Sequence, residues 1–221
     1  MSKAQIGQPA PLLAIAEWVQ GEPVNFDQLS GNVVLVEVFQ VNCPGCFIYS
    51  LPQAIDLYQH YQAQGLVVIG VATAFEDFDK NTLENLQRLL EKGEVIGETQ
   101  HTLNEYGQLV DGLLPYRIPF PVAMDLLRKQ QDTPDDSTIN EFIDKRFTDF
   151  QQQPLAVQQN IREQVKRYFH NLAYRAATFE LFDLQGTPSQ LLIDKRGILR
   201  TSKFGDYPGL EADVKALLQE N

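Results

Sequence analysis

The sequence predicts an α/β fold, and three observations carry that expectation. VVLVEVF (33–39) and LVVIGVAT (66–73) are continuous runs rich in β-branched residues, the pattern of strands buried on both faces beneath covering helices. Between them, Ile48, Leu51, Ile55, Leu57, Tyr58 and Tyr61 recur at near-helical spacing over 47–63 and stop at Gly65, which predicts a helix with a glycine C-cap. Strand, helix and second strand make a βαβ unit, whose crossover is expected to be right-handed.

The other elements follow in chain order. Pro9, Pro11, Gly21, Pro23 and Gly31 punctuate residues 6–32, so extended segments and turns are expected there, with a hairpin around Gly21. Asn81 and Glu84 match a capping box ahead of Leu83, Leu86, Leu89 and Leu90, a helix that stops near Gly93. IPFPVAMD (118–125) is a short strand whose prolines suit an edge or a strand end. Residues 126–137 are polar and predict a loop. Thr138 with Glu141 caps a predicted helix bearing Ile139, Phe142, Ile143, Phe147 and Phe150. Pro154 opens another, bearing Leu155, Ile161, Val165, Tyr168, Phe169, Leu172 and Ala176. SQLLID (189–194), a turn at Lys195–Gly197, ILRTSKF and a helix from Leu210 to Leu218 then resume the α/β pattern. The expected organisation is one domain over 1–221 with a helical insertion at 126–180.

At 221 residues the chain is long enough to bury a core without disulfide staples. Its 18 basic and 29 acidic side chains leave a net charge of −11, which argues against nucleic acid and anionic lipid as partners. No apolar run is long enough for a membrane span, and the first residues lack the apolar core of a signal peptide. A cytoplasmic location is therefore expected. Thiols stay reduced there, so a close cysteine pair points to catalysis or metal binding rather than a structural bridge.

Both cysteines lie in VEVFQVNCPGCFIYSLP (36–52), three residues apart. A strand ending near Val41 and a helix starting near Pro44 put Cys43 at the N-cap and Cys46 in the first turn, on one face and within reach of a disulfide. Free backbone N–H groups and the helix dipole then favour the Cys43 thiolate, which makes Cys43 the attacking sulfur. Two plainer readings stay open: half of a zinc site, although His60, His101 and His170 stand at no recognisable ligand spacing, and two small core residues without chemistry.

IGQPAP near the start, NFDQLSGNVVLVEVFQVNCPGC, GLVVIGVAT, FPVAMD and GTPSQLLIDKRGIL together resemble the thioredoxin-like superfamily, in its redoxin branch of TlpA-type thiol–disulfide oxidoreductases. The likeness covers most of 6–75, 118–125 and 184–220. It implies a thioredoxin-like fold: a central mixed sheet flanked by helices, an N-terminal extension and a helical insertion before the strand that follows a cis-proline. By the same resemblance Pro188 is cis and faces the dithiol, with the Thr187 backbone free to pair with an extended substrate. Asn42, Pro44 and Gly45 of the dithiol loop join them as expected substrate contacts. Glu37, six residues before Cys43, matches the buried acid of thioredoxins and is the expected acceptor of the Cys46 proton; a solvent-facing strand Glu is the alternative.

Two departures stand out. Asn42 replaces the tryptophan usual before the first cysteine, Trp18 being the chain's single Trp, and Pro52 falls one residue later than the helix-kinking proline of this layout. The expected activity is thiol–disulfide exchange without a cofactor or metal. Its expected partners are a disulfide-bearing protein or small thiol and a thioredoxin or glutathione reducing system. A thiol peroxidase is a rival, although neither cysteine has Thr three residues before it. A non-catalytic binding or chaperone module using the aromatic insertion is another, and Cu(I) transfer by the two thiols a weaker one.

Overall fold

The structure, a computed structural model, describes residues 3–130, 135–172 and 174–220. It divides into two compact units, Met1–Leu127 with Ala176–Asn221, and Arg128–Arg175.

The first unit is built on a six-stranded mixed sheet. Its strands are β1 (Ile15–Gln20), β2 (Val33–Phe39), β3 (Leu66–Ala72), β4 (Val122–Asp125), β7 (Ser189–Ile193) and β8 (Leu199–Phe204), in the order β1-β4-β3-β2-β7-β8. β2 runs parallel to β3 from Val33↔Leu66 to Phe39↔Ala72, and antiparallel to β7, where Glu37 faces Gln190. Every residue of β2 is buried, as its unbroken apolar pattern requires. Val33, Leu35 and Phe39 pack with Phe47 and with Leu51, Ala54 and Leu57 of helix α1 (Leu51–Tyr61). The same core takes in α2 (Leu83–Lys92) and α7 (Leu210–Gln219) through Leu86, Leu89, Val214 and Leu217. On the opposite face Val34, Val36 and Val38 meet Leu13, Phe26, Phe182 and Leu184.

Several local expectations change. No hairpin forms at Gly21: the chain turns there, but β1 pairs antiparallel with β4, about a hundred residues away. β4 keeps its expected place, with Pro119 and Pro121 at its end, before its first residue, where no ladder N–H is needed, although it is an internal strand hydrogen-bonded to β1 and β3. β3 carries Gly70 at this junction because a Cβ there would lie 3.1 Å from Val122 Cγ2 and 3.3 Å from Phe120 Cε2. Helix α2 is capped by Thr82, which accepts from the Asn85 N–H, while Asn81 is occupied elsewhere. A further helix, α3 (Gly97–Glu105), lies in a stretch that showed no helical signal, as does the short α6 (Ala177–Leu181).

The second unit holds α4 (Asp136–Arg146) and α5 (Leu155–Asn171) around Ile139, Ile143, Phe150, Val165 and Phe169. Phe142 adds an edge-to-face contact with Phe169 at 5.1 Å between ring centres. Asp135, not Thr138, caps α4 by accepting from the Thr138 N–H. The expected apolar stripes are only partly buried, since Phe147, Leu155 and Tyr168 are exposed. Ala176 lies beyond α5, in β6 (Tyr174–Ala176). That strand pairs with β5 (Leu127–Lys129), which falls inside the expected 126–137 loop; positions 131–134 of that loop lie outside the described residues.

Candidate functional site

Strand β2 ends in a buried segment, Gln40 to Asn42, that delivers the two cysteines to the start of the following helix. Cys43 and Cys46 are joined as a disulfide, with Cα atoms 5.4 Å apart, and the Cys46 N–H donates to the Cys43 carbonyl at 3.0 Å. The two sulfurs differ in access: Cys43 is half-buried, whereas Cys46 is fully buried.

The displaced proline finds its explanation here. Cys46–Ser50 is a π-turn, in which the Leu51 N–H reaches back to the Cys46 carbonyl, and α1 begins only at Leu51 with Pro52 in its first turn. A π-turn is a one-residue widening of a helix, so it absorbs the extra residue between Cys46 and Pro52. Extending that ladder would ask Pro52 for an N–H to the Phe47 carbonyl, and proline has none. The Tyr116 hydroxyl supplies the bond at 2.9 Å, and burial raises the pKa of that phenol.

Glu37 lies on the β2 face that meets this helix, and it is fully buried. Gln190 Nε2 donates to its Oε1 at 3.5 Å, and its Oε2 has no hydrogen-bond partner. Burial pushes the Glu37 carboxyl up to about 8, against smaller opposing influences from Ser50 and Gln190. The Ser50 hydroxyl itself donates to the Cys46 carbonyl at 3.3 Å, so Ser50 links the acid to the residue whose thiol it would serve.

The Thr187–Pro188 peptide is cis. Cys43 Sγ lies 3.6 Å from the Thr187 carbonyl oxygen, and a Cβ on Gly45 would stand 3.9 Å from Pro188 Cδ. Thr187 and Pro188 therefore stand beside the dithiol loop. Thr187, Pro44 and Gly45 are half-buried and Pro188 is buried.

Asn42 is differently engaged. Its backbone N–H donates to Asn81 Oδ1 at 2.9 Å, its Nδ2 to Asp77 Oδ2 at 2.7 Å, and its Oδ1 accepts from the Glu98 N–H at 2.8 Å. The side chain that replaces the usual indole thus clamps the 76–81 loop and the start of α3 against the dithiol segment. Gly97 turns with φ +55°, where a Cβ would run into Asn42 Oδ1. Asn42→Ala should lower stability by about 1 kcal/mol, because it removes the part-buried hydrogen bonds to the Glu98 N–H and the Asp77 carboxylate, two groups on exposed residues that water can reach. A urea midpoint that does not fall would contradict the clamp.

Sequence reasoning did not single out Ser50, Gln190 or Asp77, and it gave Asn81 a different role, as a helix cap. A glutamine inside SQLLID and a serine inside CFIYSLP were available signals, since polar residues in apolar runs call for partners. Among the described residues no group of three or more His, Cys, Asp or Glu is placed to hold a metal ion, and no helix is long and apolar enough to cross a membrane.

The six-stranded mixed sheet, the cis Thr187–Pro188 peptide and two cysteines bridged at a helix start make up a thioredoxin-like fold. A crystal structure of a thioredoxin-like superfamily protein is 26% identical, with a TM-score of 0.59 over 97% of this chain and 98% of that one. A thiol-disulfide isomerase from Corynebacterium glutamicum is 27% identical, with a TM-score of 0.58 over 96% and 98%. Protein DipZ of Mycobacterium bovis and of Mycobacterium tuberculosis is 32% identical over 77 residues, 34% of this chain and 11% of DipZ. The match thus spans about a tenth of the length of those curated relatives. No family model matches the chain.

Proposed function

We propose that Cys43 and Cys46 cycle between dithiol and disulfide, with Cys43 as the attacking thiolate, Cys46 as the resolving thiol and Glu37 as the proton acceptor. The observation that carries this is the asymmetry of the pair: Cys43 is the reachable sulfur at the helix start, and Cys46 is buried on the side of a buried carboxyl. Cys43 thiolate attacks one sulfur of a substrate disulfide, forming a mixed disulfide and releasing the first substrate thiolate. Cys46 then gives its proton to the Glu37 carboxylate and attacks the Cys43 sulfur. The Cys43–Cys46 disulfide forms, the second substrate thiolate leaves and takes a proton from water, and two electrons have passed to the substrate.

The substrate class is a protein or small molecule carrying a disulfide, held as an extended segment along the Thr187 backbone beside Pro188, Pro44 and Gly45. Asn42 acts on this site by holding the loop rather than by touching substrate. A thioredoxin or glutathione system restores the dithiol, in a reducing compartment such as the cytoplasm. Equilibrating the protein with glutathione at graded redox ratios and counting alkylated thiols by mass tests this. The expected result is one transition in which two thiols appear together. A midpoint of roughly −270 mV makes it a reductase and one of roughly −120 mV a disulfide donor; thiols that never respond across the series would refute redox cycling.

A further inference from the structure

Three buried polar side chains, Glu37, Gln190 and Ser50, are grouped between the sheet and the π-turn that carries Cys46. Glu37 and Gln190 oppose each other across the β2–β7 register, and the single bond between them leaves two acceptors without a donor, Glu37 Oε2 and Gln190 Oε1. Ser50, 3% exposed, completes the group from the π-turn. Its side chain also faces the Glu37 carboxyl, yet its hydroxyl proton goes to the Cys46 carbonyl. Donation back to the carbonyl four residues earlier is common for serine in a helix. What is particular here is a buried, under-satisfied carboxyl facing the same hydroxyl.

A hydroxyl carries one proton and rotates to suit its surroundings, so it serves one of these acceptors at a time. Opposite Glu37, β3 presents Gly70 and β7 presents Gln190, while the π-turn brings Ser50 and Cys46. Among the described residues in this set, Cys46, once reduced, is the one other group that can release a proton.

We propose that Ser50 is a positioning residue that turns its hydroxyl hydrogen bond between the Cys46 carbonyl, while Glu37 is the neutral acid, and the Glu37 carboxylate once that group ionises. This rests on Glu37 being the acceptor of the Cys46 proton. In that transfer the Cys46 S–H bond breaks and an O–H bond forms on Glu37, leaving the thiolate that attacks Cys43. Ser50 exchanges no proton with either group. It stabilises the ionised base before the transfer and returns to the Cys46 carbonyl after it.

The test follows the second thiol released when the reduced protein reacts with a chromogenic aromatic disulfide, since the first release reports Cys43 attack and the second reports resolution by Cys46. Ser50→Ala should move the rising limb of the pH profile for the second release upward by about one unit, because a hydrogen bond to a charged group is lost. The first release should be unchanged. In a Glu37→Gln background, Ser50→Ala should change nothing further. An unmoved profile in Ser50→Ala, or slowing by Ser50→Ala and Glu37→Gln that multiplies, would overturn the role of Ser50 and leave Glu37 as the acceptor. A wild-type profile in Glu37→Gln would overturn both.

Discussion

Cys43→Ser should lower the rate of thiol–disulfide exchange by on the order of a thousandfold or more, because a serine hydroxyl stays protonated where a helix-start thiol is ionised. The loss is one of chemistry and not of folding. Serine is a good residue at a helix start, and the disulfide that disappears closes so short a loop that its loss costs only about 2 kcal/mol. Cys46→Ser should behave differently. The half-buried Cys43 still attacks, but no second thiol releases the product. Equal loss of the first attack in both variants would contradict the assignment of roles, which follows from the difference in burial between the two sulfurs.

Glu37→Gln should make the protein more stable at pH 8 and slower at resolving its mixed disulfide. The carboxyl titrates at about 8 in the folded protein, against 4.5 as its ordinary value. Below pH 4.5 both the folded and the unfolded chain carry the proton, and Glu37 costs nothing extra. Between 4.5 and about 8 the unfolded chain has released a proton that the folded chain keeps, so stability falls as pH rises. Above the folded value the loss is complete, at up to roughly 5 kcal/mol for a fully buried group. Glutamine does not ionise, so the variant escapes this loss. Denaturant melts of both proteins at pH 5 and pH 8 check it, the difference between them cancelling every other titrating group. Parallel pH dependence in the two proteins would mean that Glu37 is ionised and stabilised in the fold.

The parts of the fold legible in the sequence are those that repeat locally. The unbroken apolar run of β2 announces burial on both faces, and the spacing of Leu51, Leu57 and their neighbours announces the helix that covers one of them. Partner choice is not local. Nothing in IAEWVQ says that β1 will join β4, because a strand's pattern specifies a face and not a neighbour. The cap of α2 shows tertiary contacts overriding a template: Asn81 fits the capping pattern but is taken by the Asn42 N–H, and Thr82 caps instead.

The site divides the same way. CPGC, Glu37 and the TP segment are short motifs on predictable elements, and their positions could be read from residue order. Pro52 was legible as an anomaly, but the π-turn that resolves it depends on Tyr116 supplying a hydrogen bond from elsewhere in the chain. Asn42 looked like part of the substrate surface because of what it replaces, and its partners at Asp77 and Glu98 become visible only when the loops are assembled. Ser50 and Gln190 are ordinary polar residues until both are seen buried against Glu37.

Mixed-disulfide capture tests the central claim most directly. The reduced Cys46→Ser and Cys43→Ser proteins are each exposed to a disulfide-bearing peptide at neutral pH, and the adducts are weighed by mass spectrometry after acid quench. One peptide bound through Cys43 in the Cys46→Ser protein, with little or none in Cys43→Ser, is the predicted result. Capture through Cys46 in the Cys43→Ser protein at the same rate, or no adduct in either, would contradict the account.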